Sequence, residues 1–143
     1  MFERLYDIRE ENNLTQEQVA EILKVDRSAI SRWETNIEII PLEKLNMFAN
    51  YFNINFDYLS GLSTKRNTNI LKNNLDPNYI GSKLVEFRKE NHMTQIELAD
   101  ELNTTQSTIS AYESGKTLIL TSFAYEIAIK HNISLDWLCG KVK

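Results

Sequence analysis

The chain has 143 residues, 42% of them hydrophobic, and a formal net charge of −4, enough for one ordinary domain or two small ones. Its one cysteine, Cys139, excludes an internal disulfide, and no stretch resembles a signal peptide or the ~20 apolar residues of a membrane span, so a reduced cytoplasmic setting is expected. A net acidic balance is not what a nucleic-acid binder usually shows, but local placement decides what meets a phosphate. Residues 1–62 hold 6 basic and 11 acidic groups, residues 63–78 hold 3 and 1, and residues 79–143 hold 7 and 8.

In chain order, Phe2, Leu5 and Ile8 mark a first helix that stops near Asn12-Asn13. Thr15 with Gln18 three residues on forms a capping box, and Val19, Ala20, Ile22 and Leu23 supply the apolar face of a second helix. Asp26 caps a third, with Ile30 and Trp33 facing inward. Pro41 suits a helix start, and Leu42, Leu45, Phe48, Ala49 and Phe52 make a strongly amphipathic fourth helix. Asn53 or Asn55 breaks it, and Phe56–Leu59 form a short fifth helix ending at Gly61.

The segment 63–78 is rich in Asn, Lys, Thr and Ser, ends in Asp76-Pro77-Asn78, and reads as a linker. Fully extended, its residues would span at most roughly 50 Å. Beyond it the plan recurs. Leu84 and Phe87 belong to one helix; Thr94 and Glu97 box the next, which carries Leu98, Ala99 and Leu102. Thr105 caps a helix with Ile109 and Tyr112 inside, followed by helices around Phe123, Ile127 and Ala128 and around Leu135, Trp137 and Leu138. Slid by 79 residues, Leu5–Gly61 falls on Leu84–Gly140 without a gap, and nineteen of 57 positions are identical. The expected fold is therefore all-α, with two five-helix domains in tandem at residues 1–62 and 79–143.

In each repeat two helices of about eight residues are separated by three or four, the spacing at which the second helix can enter a major groove. Ala20 and Ala99 fall where such helices cross closely. Leu5–Arg9, Leu14-Thr15-Gln16-Glu17, Ser28–Glu34, Pro41–Phe52 and Phe56–Gly61 have counterparts in the second repeat, notably Met93-Thr94-Gln95 and Gln106–Ser110. On these stretches the chain resembles the Cro/lambda-repressor (XRE) helix-turn-helix family, over nearly everything except the linker.

The resemblance implies a transcription factor that reads double-stranded DNA with the third helix of one or both repeats. It places Gln16 and Gln95 against phosphates, and Arg27, Ser28, Ala29 and Arg32 on the base-facing side in repeat one. In repeat two those positions are Gln106, Ser107, Thr108 and Ala111. Arg and Gln have the donor geometry for guanine and adenine edges, and Ala or the Thr methyl can meet a thymine methyl. The resemblance also implies a partly buried ion pair, Arg9 with Glu34 and Arg88 with Glu113. Two departures stand out. The turn position that is often Gly is Lys24 or Asn103. The phosphate-gripping stretch after the third helix survives only as Gly115-Lys116, while repeat one reads Asn36-Ile37-Glu38.

Trp33, Tyr112, Phe48, Phe52 and Trp137 fall on apolar faces and are expected in the core rather than as base-stacking platforms. Ile37–Ile40 and Leu118–Leu120 suit a dimer contact or a loop packed on the fourth helix, and a homodimer is compatible with either. His92 and His131 are read as isolated in turns, without companion ligands at zinc spacing; Cys139 is read as an inert small side chain. Neither metal, cofactor nor enzymatic constellation is indicated. The competing class is a protein-interaction module, such as an antitoxin or anti-repressor, that uses the same fold to hold a protein partner.

Overall fold

The computed structural model describes residues 1–142. Among them every regular element is helical. The helices are α1 (Arg4–Glu11), α2 (Gln16–Leu23), α3 (Arg27–Glu34), α4 (Leu42–Phe52) and α5 (Phe56–Leu59), then α6 (Pro77–Glu90), α7 (Gln95–Glu101), α8 (Gln106–Glu113), α9 (Thr121–His131) and α10 (Leu135–Cys139). The chain divides into one compact unit of Met1–Asn73 with Lys141 and Val142, and a second of Asn74–Gly140.

In unit 1, local chemistry sets the helix ends. Thr15 Oγ1 accepts from the Gln18 amide at 3.1 Å, and Gln18 Oε1 accepts from the Thr15 amide at 2.8 Å, so the capping box satisfies two orphan donors of α2. Asp26 Oδ1 accepts from the Ala29 amide at 2.9 Å and starts α3. Between them the chain reverses at Lys24, in the left-handed region at φ +58, and the Val25 amide closes on the Ala20 carbonyl at 3.0 Å. Ala20 is buried there, as the helix crossing requires. Leu5, Ile8, Val19, Leu23, Ile30, Trp33, Leu45 and Phe48 form the core. Phe52, expected in the core, is half-buried rather than fully inside; its ring packs tilted on Phe48 with Tyr51 at its edge.

The Asn-rich stretch read as a linker is not a free tether as far as Asn73, which still belongs to unit 1. Asn55 Oδ1 accepts from the Asn67 amide at 2.8 Å, and the Asn55 amide donates to the Asn67 carbonyl at 3.1 Å. Asn46 Nδ2 donates to the Asn73 carbonyl at 2.9 Å, and Arg66 pairs with Glu11 at 2.7 Å. Asparagines that look like solvated filler thus satisfy backbone groups of the same unit. Unit 1 also takes in Lys141, whose ammonium is fully buried and donates to Asn50 Oδ1 at 2.8 Å and Asn73 Oδ1 at 3.1 Å.

Unit 2 repeats the plan with a longer first helix. Asp76 caps α6 through the Asn78 amide and Pro77 opens it, so the helix begins inside the Asp76-Pro77-Asn78 segment expected to be linker. Its early residue Gly81 lies against α8: a Cβ there would stand 2.5 Å from the Tyr112 carbonyl oxygen and 2.6 Å from that of Glu113. The counterpart in unit 1 is Phe2, which is buried just before α1 begins. Thr94 and Glu97 form the second capping box, Thr105 caps α8, and Asn103 carries the left-handed turn at φ +54. Tyr112 is buried, whereas Trp137 is half-buried beneath the Lys83 ammonium.

His131 differs from its expected place in a turn. It closes α9, its Nε2 lies 2.9 and 3.0 Å from the two Glu101 oxygens, and its ring meets Phe87 edge-on. His92 occupies a turn at φ +54, as expected.

Candidate nucleic-acid interface

The candidate site is built outward from a buried ion pair. Arg9 Nε donates to Glu34 Oε2 at 2.7 Å, Nη2 donates to Oε1 at 3.0 Å, and Nη1 reaches the Leu14 carbonyl at 2.9 Å. The two side chains are 9% and 5% exposed. The hydrogen bond to Glu34 leads the influences that raise the Arg9 pKa, against burial, which lowers it. Arg88, Glu113 and Met93 reproduce the arrangement at 2.7, 3.0 and 3.0 Å. A planar two-point fit of this kind ties α1 to the end of α3, and α6 to the end of α8.

From the pair a relay runs to the surface. Gln16 Nε2 donates to Glu34 Oε1 at 3.1 Å, and Gln16 Oε1 accepts from Arg27 Nη1 at 3.4 Å. In unit 2, Gln95 Nε2 donates to Glu113 Oε1 at 3.0 Å, and Gln95 Oε1 accepts from Gln106 Nε2 at 3.4 Å. The Gln side chain offers both the donor and the acceptor that this link needs, whereas a Glu at residue 16 would set two carboxylates together. The relay joins the first residue of α2 to the first residue of α3 and was not anticipated. Its signal in the sequence is the recurrence of Arg, Gln and Glu at the same offsets in both repeats, at 9, 16, 34 and 88, 95, 113.

On α3, Arg27, Ser28 and Arg32 are exposed. Ala29 is not: expected on the base-facing side, it is only 6% exposed. The inner stripe of α3 runs Ala29, Ile30 and Trp33, and a neighbour at 100° of rotation from Ile30 falls inside that stripe's width. The Ala29 methyl is therefore core. On α8, Gln106 and Ser107 are exposed, while Thr108 and Ala111 are half-exposed. The Thr108 hydroxyl lies 2.9 Å from Thr105 Oγ1 at the cap.

The turns after these helices share a backbone but not a charge. The Ile37 and Glu38 amides close on the Arg32 carbonyl at 3.0 and 3.2 Å, and the Lys116 and Thr117 amides close on that of Ala111 at 3.0 and 3.4 Å. Lys116 is exposed beside Gly115, whose φ is +78. Arg32 instead donates from Nε to Glu38 Oε2 at 2.7 Å and from Nη1 to Ser28 Oγ at 3.1 Å. Its pKa is raised, first by the hydrogen bond to Glu38. The apolar loops divide: Ile40 and Ile119 are buried anchors, whereas Ile37 is 77% exposed and Leu120 is also exposed.

The helix-turn-helix family model matches this chain twice, at residues 5–59 and 84–138. The chain belongs to the helix-turn-helix family of the Cro/lambda-repressor (XRE) type, in two tandem copies. Among curated relatives it is similar to the HTH-type transcriptional activator BcrR of Enterococcus faecalis, 42% identical over 57 residues, which make up 40% of this chain and 28% of that protein. It is also similar to the uncharacterized HTH-type transcriptional regulator YobD of Bacillus subtilis (strain 168), 30% identical over 73 residues, or 51% of this chain and 65% of that protein. The chain thus spans less than two thirds of either relative. No solved structure gives a significant match. No helix among the described residues is long and apolar enough to cross a membrane.

Proposed function

We propose that the protein is a cytoplasmic, sequence-specific DNA-binding transcription regulator acting as a repressor, with α3 and α8 reading major grooves. The observation that carries this reading is the solvated face of α3. Arg27, Ser28 and Arg32 stand clear of the core while the relay behind them holds the helix to the rest of unit 1. Arg32 would read a guanine edge, Gln106 an adenine edge, and the half-exposed Thr108 or Ala111 a thymine methyl. Ser28 and Ser107 would accept or donate locally. Gln16 and Gln95 each spend one amide hydrogen on a carboxylate and keep the other for a phosphate, and Lys116 would grip the backbone beyond α8. The names of both relatives support transcription regulation. Residues 1–62 and 79–143 are proposed as the two reading domains.

Selection of bound sequences from a random duplex library by the full chain tests this. The wild type should enrich a two-part site; Arg32→Ala should erase one base preference in one part, and Gln106→Ala one in the other. Lys116→Ala should weaken all sequences alike and flatten the salt dependence. If one part is absent, its unit is not a reader.

Ile37, 77% exposed beside the reading face, favours a second reading in which unit 1 holds a protein partner or another copy of the chain. No enrichment at low salt would favour that reading over the first.

A further inference from the structure

The proposal concerns Glu38, and it rests on the reading of α3 as a DNA-contacting helix. A carboxylate beside that helix would be expected only to repel phosphate, but its geometry is more specific. The Glu38 amide donates to the Arg32 carbonyl at 3.2 Å, while Arg32 Nε donates to Glu38 Oε2 at 2.7 Å. Backbone and side chain of the two residues thus hold each other reciprocally. Ser28 Oγ takes a third point, accepting from Arg32 Nη1 at 3.1 Å, and is itself oriented by donating to Asp26 Oδ1 at 2.7 Å.

Unit 2 supplies the comparison. There the same turn closes on the Ala111 carbonyl, at 3.0 Å from the Lys116 amide and 3.4 Å from the Thr117 amide. Thr117 stands where unit 1 has Glu38, and Ala111 stands where it has Arg32. The backbone persists while arginine and carboxylate are absent together. A Glu that served only to weaken phosphate binding would have no reason to depend on what occupies the helix position it faces.

A guanidinium offers five N–H donors in a fixed plane. Glu38 and Ser28 engage one on Nε and one on Nη1, and Nη2 makes no hydrogen bond within the described residues. Three donors remain, one on Nη1 and two on Nη2, so one from each terminal nitrogen can meet the O6 and N7 acceptors of guanine. Both side chains are solvated, 44% and 51% exposed, so the carboxylate does not remove the arginine from the surface. It restricts how the plane can turn. Restriction before binding reduces the ordering cost at the moment of contact.

We propose that Glu38 is a positioning residue for Arg32, fixing its guanidinium with Ser28 so that the outer edge is presented to a guanine, and that it thereby sets sequence preference rather than overall affinity.

The test uses the full chain. Library selection first fixes the base position whose preference Arg32→Ala abolishes. Wild type, Glu38→Ala and Glu38→Gln are then titrated on the selected duplex, on duplexes altered at that position, and on random-sequence DNA, after thermal melts confirm that each variant folds. Glu38→Ala is expected to lower discrimination at that position about three- to tenfold, with binding to random DNA unchanged or tighter. Glu38→Gln, which retains an acceptor oxygen for Nε, is expected to keep most of the discrimination. Tighter binding of Glu38→Ala to every sequence alike, with discrimination intact, would overturn the proposal and leave Glu38 as a repelling charge. If Arg32→Ala alters no base preference at all, the reading of α3 has failed and the proposal falls with it, a result separable from the first.

Discussion

Removing Glu34 should break unit 1 more severely than any exposed charge could. Its carboxylate accepts three hydrogen bonds, two from Arg9 and one from Gln16. At about 1.5–3 kcal/mol for each bond to a charged group, a simple sum would exceed 4 kcal/mol. That sum is a ceiling, because Arg9 keeps the Leu14 carbonyl and has Glu10 Oε1 at 3.7 Å. The appropriate reference is a buried pair stripped of one partner, which costs about 3–5 kcal/mol. For a unit of this size each 1 kcal/mol lowers Tm by roughly 4–8 °C, so Glu34→Ala should melt at least about 12 °C below wild type. Trp33 lies in unit 1 and Trp137 in unit 2, so urea titration followed by fluorescence in a Trp137→Phe background reports on unit 1. Arg9→Met combined with Glu34→Leu should be less damaging than Glu34→Ala, since no charge is then stranded. A loss below about 1 kcal/mol in Glu34→Ala, well under what stripping such a pair costs, would refute the reasoning.

Gly81→Ala should destabilise unit 2 by about 1–3 kcal/mol, since its methyl would meet two backbone carbonyl oxygens of α8 that cannot swing aside; an unchanged urea midpoint would show that α6 shifts freely. Lys24→Gly should stabilise unit 1 by about 0.5–1 kcal/mol, because the left-handed conformation at φ +58 penalises a Cβ more than glycine's entropy costs, and a lowered Tm would contradict this. The Asp26 pKa is held below its ordinary value by the hydrogen bond from Ser28 and then by that from the Ala29 amide. A depressed folded pKa means that its stabilisation is present above the unfolded value and is lost as pH falls through the folded one. Asp26→Asn should therefore make the acid limb of Tm against pH shallower, and an identical limb would remove Asp26 from the account.

Features that depend on neighbours in sequence were legible. Thr15 with Gln18, Thr94 with Glu97, and Asp26 each satisfy an amide three residues away, so residue type and spacing suffice to place them. The positions of Ile30, Trp33 and Leu45 follow from periodicity in the same way. What escaped depends on partners far along the chain. His131 finds Glu101, and the asparagines at 46 and 55 find backbone groups at 73 and 67; composition alone makes such residues look like turn and linker. Ala29 departs from its expected base-facing place for a subtler reason. One residue is 100° of helix rotation, so the boundary between inner and outer faces of α3 falls within a single step. Periodicity fixes the centre of an apolar stripe better than its edge.

The two units share the frame and differ on the surface, and the division follows chemical function. Arg9, Gln16 and Glu34 have identical counterparts at 88, 95 and 113, and their distances agree to about a tenth of an ångström. Several residues of the two proposed reading faces do not match, although Ser28 and Ser107 do: Gln106 stands in the place of Arg27, Ala111 in that of Arg32, and Thr117 in that of Glu38. A frame of buried charges tolerates little change, because any lost partner strands another, whereas exposed side chains on the same scaffold can change at small cost in stability. Under the proposed function, two unlike reading faces imply two unlike half-sites. An operator built for them would lack the exact symmetry that identical subunits demand. The arginine-bearing α3 would supply guanine discrimination in one half, and α8, with Gln106 and Thr108, would favour adenine and thymine in the other.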